Sequence, residues 1–113
     1  MTAAVIDAAT LAELEASAGV DFVKELVETF LEEAPAMLAE LKRALAAGEA
    51  EPFRRAAHSL KSNANTFGAL ALGTLARELE LGGLDAGRQS GALARVDDAY
   101  QRAAAALTER GDG

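Results

Sequence analysis

The chain's only histidine, His58, lies among residues able to support chemistry at an imidazole. Arg54 lies four residues before it, Lys61 three after, Ser62 four after and Asn65 seven after, spacings that bring side chains to one face of a helix. Arg55 stands at the border of that face. Between Glu51 and Asn65 there are three basic residues and one acidic, in a chain whose formal net charge is −7. Like charges raise the cost of a second cation, so these neighbours predict a mostly neutral His58 at about pH 7. A neutral imidazole nitrogen is a nucleophile. The same cations would stabilise anionic oxygens delivered to it, the electrostatic requirement of phosphoryl transfer. Lys61 is the natural partner for such oxygens, Ser62 and Asn65 could add neutral hydrogen bonds, and Gly68, lacking a side chain, could let another protein approach closely. Each residue also has a plainer reading: an exposed histidine as ordinary surface, the basic residues as a solvated helix face, Gly68 as a helix terminator.

The elements that must position these residues are legible in the apolar spacing. Asp7 precedes Leu11 and Leu14 and suits the N-cap of a short helix over about residues 7–17, ended by Gly19. From Asp21, the residues Phe22, Val23, Leu26, Val27, Phe30 and Leu31 recur on one helical face. Pro35 cannot donate to the carbonyl four residues earlier, so the sequence predicts a kink or a break there. Leu38, Leu41 and Leu45 continue the stripe to Gly48, where stop and restart signals run through Pro52. Phe53, Ala56, Ala57, Leu60, Ala64 and Phe67 then define the His58 helix, with His58 roughly 140° from the centre of the apolar stripe and therefore in solvent. Leu72, Leu75, Ala76 and Leu79 form the next stripe before Gly82-Gly83, and Leu93, Val96, Tyr100, Ala103 and Leu107 form the last. Short connections favour antiparallel neighbours. The expected fold is all-α: an up-down antiparallel four-helix bundle with a short N-terminal capping helix and a kink or break near Pro35.

Composition narrows the alternatives. A length of 113 residues suits a single domain, with a core expected over about residues 6–110. Alanine fills about a quarter of the chain and only 4% of residues are aromatic, in keeping with helices throughout. Eleven basic against eighteen acidic residues disfavour nucleic acid as a partner. With no cysteine and one histidine, thiolate chemistry has no donor and a carboxylate-bridged metal bundle lacks its Glu-x-x-His pairs; Arg55 stands where that glutamate would be. No metal site is expected. No run of eighteen apolar residues suggests a membrane span, and a cytoplasmic, monomeric protein is expected. No Gly-rich phosphate loop follows a strand, so self-phosphorylation from ATP is not expected.

Taken together, Ala57-His58-Ser59-Leu60-Lys61-Ser62-Asn63-Ala64, then Gly68-Ala69, Leu72, Leu75 and Leu79-Glu80, resemble the signature of histidine phosphotransfer (HPt) domains. The resemblance extends back through Leu11, Leu14, Gly19, Phe30-Leu31, Pro35, Leu38, Leu41, Ala44-Leu45 and Gly48. It implies a phosphorelay intermediate that takes a phosphoryl group from a receiver-domain aspartate and passes it to another. On that match His58 is the phosphoacceptor, Lys61 neutralises the phosphoryl oxygens, and the small Ser62 and Gly68 leave room for the receiver. Many family members carry glycine where Ser62 stands. The resemblance implies response-regulator receiver domains as partners, including that of a hybrid histidine kinase, with Mg²⁺ held by the receiver and no cofactor on this chain. Arg54, Arg55, Ser62, Asn65 and Gly68 form the expected receiver contact, with Ala50 and Leu72 as candidate apolar additions. The rival from another class is a phosphorylation-independent helical adaptor or inhibitor that docks on a kinase or receiver through the same face.

Overall fold

The computed structural model describes residues 5–112, which form five helices. Helix α1 (Ala8–Ala18) starts where expected: the Asp7 carboxylate accepts from the Thr10 backbone N–H at 3.1 Å, satisfying one of the donors that a first turn leaves unpaired. Gly19 separates it from α2 (Val20–Ala47), which ends at Gly48 in the left-handed region, its N–H reaching the carbonyls of Ala44 and Leu45. Helix α3 (Ala50–Thr66) carries His58, α4 (Leu70–Gly87) faces it, and α5 (Ala92–Asp112) closes the bundle against α2. The Gly82-Gly83 stop is visible as a non-helical Gly83 (φ 66°, ψ −153°), beyond which one further helical turn runs to Gly87.

Of the two options at Pro35, the structure excludes the break: α2 is a continuous 28-residue helix through it. A proline in a helix interior frees the carbonyl four residues back, here that of Leu31. The Tyr100 hydroxyl on α5 points at that carbonyl, a long contact of 3.4 Å. A side chain of the neighbouring helix thus supplies a donor in place of the missing N–H.

The helices share one apolar core. Leu11, Phe30, Leu41, Phe53, Leu60, Leu72 and Val96 are its largest fully buried side chains, drawn from all five helices. The Phe30 ring stacks on Phe67 at 5.6 Å and meets Tyr100 edge-on at 6.1 Å, linking α2, the end of α3 and α5. Burying each such side chain stabilises the fold by about 1.5–3 kcal/mol before the entropy of ordering is counted. Close approach of α4 to α3 uses a missing side chain at Gly87, where a Cβ would lie 2.7 Å from the buried Phe53 ring, while at Gly73 a Cβ would meet the end of the exposed Asn65 side chain. These contacts also fix direction, since residue numbers rise along α3 as they fall along α4: 53 against 87, 58 against 80 and 65 against 73. The pair is therefore antiparallel. No helix among the described residues is long and apolar enough to cross a membrane.

Candidate functional site

Helix α3 is amphipathic in a way that leaves one face for chemistry. Phe53, Ala57, Leu60 and Ala64 are completely buried, which anchors the helix and turns His58 outward. The His58 side chain is 53% exposed, as its position on the helix predicts. Across from it, α4 buries Leu79 and thereby sets Glu80 at the edge of the α3–α4 seam.

Glu80 bridges the two residues on which the chemistry was expected to rest. Its Oε2 lies 2.6 Å from His58 Nδ1, and its Oε1 lies 2.6 Å from Lys61 Nζ. Its own side chain is only 12% exposed, and Lys61 is 25% exposed, so the pair is partly shielded from water. The Lys61 ammonium paired with it, followed by the hydrogen bond from His58, holds the Glu80 carboxyl below the usual glutamate range, against the opposing effect of burial.

The cations expected around His58 are not alone there: the group touching its ring is an anion, and Lys61 is already paired with that anion. Arg54 is likewise occupied, its guanidinium gripping Glu51 one turn earlier with Nε 3.1 Å from Oε2. Arg55 is exposed and lies close enough to Glu40 and Glu51 to lower both carboxyls, behind the dominant hydrogen bonds that Arg43 and Arg54 give them. The basic island is therefore a set of ion pairs with an excess of positive charge at its border.

Ser62 and Asn65 are exposed on α3, Ser62 lending its carbonyl to the Thr66 hydroxyl and Asn65 laid over Gly73. Gly68 departs from expectation. It is buried, has φ +81°, and accepts a 2.8 Å hydrogen bond from the Asp7 N–H through its carbonyl. A Cβ there would come within 2.8 Å of the Asp7 carbonyl oxygen. Its missing side chain makes room for this chain's own amino-terminal segment, so the receiver contact expected at Gly68 has no surface to use. Leu72 is 1% exposed and belongs to the core, which removes it as an apolar contact, whereas Leu81, immediately after Glu80, is 69% exposed. Glu80 belongs to the Leu79-Glu80 part of the signature, where its contact with His58 is not legible. Its side of α4 could be placed on the wheel, but its partner depends on how α3 and α4 are aligned.

The comparisons with known proteins bear on the fold and the family. Residues 25–106 match the family model of the Hpt domain. The structure is similar to the crystal structure of histidine-containing phosphotransfer protein B (HptB) from Pseudomonas aeruginosa PAO1, with a TM-score of 0.81 and 26% identity over 98% of this chain and 97% of that one. No curated protein matches the sequence significantly. A helical bundle displaying one histidine at mid-helix, with the family model spanning most of its length, places the chain in the Hpt domain family, the histidine phosphotransfer proteins of phosphorelays.

Proposed function

We propose that His58 is the phosphoryl carrier, accepting the group from the aspartyl phosphate of one receiver domain and passing it to the aspartate of another. The observation that carries this reading is the cluster itself: the chain's one imidazole stands exposed at mid-helix with an ammonium and a carboxylate of known position beside it. Lys61 is the residue to neutralise phosphoryl oxygens, because it lies one turn along the same helix and is tethered within reach of the ring. Arg54, Arg55, Ser62 and Asn65 lie on or beside this face and form the receiver contact, while Gly68 supports the fold behind it. Mg²⁺ belongs to the receiver's acidic pocket, and one set of partners is the receiver domain of a hybrid histidine kinase. Apart from Phe22, which is 52% exposed, the bundle covers its apolar stripes wholly or partly within one chain, which favours a single 1–113 domain acting as a cytoplasmic monomer.

Radiolabel transfer from a panel of phosphorylated receiver domains to the wild-type chain and to His58→Gln tests the proposal. The expected product is an acid-labile, alkali-stable label found only when His58 is present. Receivers that bind both chains but label neither would instead identify a phosphorylation-independent adaptor.

A further inference from the structure

We propose that the outer face of α4 is the second half of the receiver-docking surface, with Leu81 as its apolar anchor and Arg77 as its cation. The partner it fits is a receiver domain that carries an apolar patch and a carboxylate beside its acidic pocket. The inference deepens the reading of His58 as carrier and rests on it. Leu72, Ala76 and Leu79 turn one side of α4 into the core. Leu70, Thr74, Arg77 and Leu81 are spaced 4, 3 and 4 residues apart, which at about 100° per residue sets them on one strip roughly opposite that side. All four are exposed, Leu81 at 69% and Leu70 at 47%. Arg77, between the two leucines, makes no ion pair among the described residues, whereas Arg43, Arg54, Arg102 and Arg110 are each held by a carboxylate. A lone exposed leucine is ordinary. Leu81 stands apart by its place: it directly follows Glu80, which touches the His58 ring at 2.6 Å, and Gly82 and Gly83 after it carry no side chain to stand over it.

The size of a specific contact carries the partner across the α3–α4 seam. Two proteins that recognise each other cover about 600–800 Å² on each side, a patch about 14–16 Å in radius. Packed helices lie about 8–10 Å apart, so a receiver centred on His58 overlies the outer face of α4 as well as that of α3. On α3 that footprint finds polar and charged groups, Arg54, Arg55, Ser62 and Asn65. With Leu72 in the core, the larger apolar contact comes from α4. Leu81, one residue from Glu80, falls near the centre of the footprint, where a few desolvated side chains carry most of the binding energy. Arg77 lies about 4.5 Å along the helix from Glu80, and Leu70 about 15 Å, which puts Leu70 at the rim. The uncommitted charge of Arg77 meets a carboxylate without first breaking an internal pair, whereas Arg54 must leave Glu51 to do so.

Binding of fluorescently labelled receiver domains, the panel used for radiolabel transfer, to the full chain and its variants tests this surface. Leu81→Gln, which adds no charge beside Glu80, is expected to weaken binding roughly tenfold. Arg77→Glu is expected to weaken it roughly threefold to tenfold at low salt, with the gap narrowing as ionic strength rises. Leu70→Gln, at the rim, is expected to cost less than Leu81→Gln. Val20→Gln is the control: Val20 is 62% exposed, lies against the groove between α1, α2 and α5, and is expected to leave affinity unchanged. Circular dichroism checks each fold, and Leu81→Ala, which favours helix, replaces Leu81→Gln if that variant loses helicity. Affinities within about twofold of the wild type in both the Leu81 and the Arg77 variants overturn the proposal, as does an equal loss in Val20→Gln. A loss from one of the two alone strikes the other from the surface. A receiver that needs the strip to bind, yet labels neither the wild type nor His58→Gln, keeps the strip and rejects His58 as carrier. Transfer to His58 with an affinity indifferent to both changes keeps the carrier and rejects the strip, and no binding by any receiver rejects both.

Discussion

Lys61 and Glu80 define the residue scale because each has two demands on it. Lys61 pairs with Glu80 at 2.6 Å in the unphosphorylated chain and must serve phosphoryl oxygens during transfer. Lys61→Ala is therefore expected to slow label transfer on the order of 10²-fold, the usual cost of one charge-stabilising donor, while circular dichroism shows full helicity. Unchanged rates would remove Lys61 from the mechanism. Glu80 gives the site a pH dependence whose sign is fixed: its folded value lies below the ordinary 4.5, so the α3–α4 tie contributes stability above that value and loses it as pH falls through the lower folded value. Thermal melts from about pH 6 to about pH 3 should thus show a steeper acid loss in the wild type than in Glu80→Gln; parallel curves would show the tie contributes nothing. His58 and Lys61 were legible in sequence because helical spacing alone puts them on one face. Glu80's contact was not, since it joins residues 22 apart and depends on how two helices slide past one another.

At the scale of elements, α2 keeps its course through Pro35 at a cost that α5 helps to offset. Tyr100→Phe removes the hydroxyl near the Leu31 carbonyl and is expected to destabilise the fold by about 0.5–1.5 kcal/mol in urea denaturation. In a Pro35→Ala background the backbone N–H returns, so the same tyrosine change should cost less; equal costs in the two backgrounds would show that hydroxyl and proline are uncoupled. Gly68 holds the turn between α3 and α4 against the amino-terminal segment. Gly68→Ala meets both an unfavourable φ of +81° and a 2.8 Å approach to the Asp7 carbonyl, and a loss of about 1–3 kcal/mol is expected from the same denaturation experiment. A neutral result would show that the segment yields easily. Helix borders at Asp7, Gly19, Gly48 and Gly83 were readable from caps and breakers. The fate of Pro35 was not, because the apolar stripe runs on past it while its local chemistry forbids a regular bond, and the hydroxyl that approaches Leu31 lies 69 residues away. The neighbour of Gly68 is illegible for the same reason: it lies 61 positions earlier, and local sequence cannot show what folds back onto a glycine.

Charge connects the site to the whole molecule. The chain carries a net −7, yet the His58 face retains Arg55 at its border, exposed, while Arg54 and Lys61 are held by Glu51 and Glu80. The acidic total and the single shared core were both readable from composition and spacing, but how much of the local positive charge remains uncommitted could be seen only once the ion pairs were in place. An acidic receiver pocket approaching this molecule meets overall repulsion and local attraction, and only the local field survives at close range when salt screens the rest over a Debye length of about 8 Å. Arg55 is then the residue through which that field most readily reaches a partner. Arg55→Glu is expected to lower the association rate with a receiver roughly threefold to tenfold at low salt, with the gap narrowing as ionic strength rises and the dissociation rate little changed, as rim charges behave in steered complexes. Stopped-flow binding across a salt series checks this. A deficit that persists at high salt would mean that Arg55 makes a direct contact in the bound complex; no deficit at any salt would place the docking face away from α3's basic border.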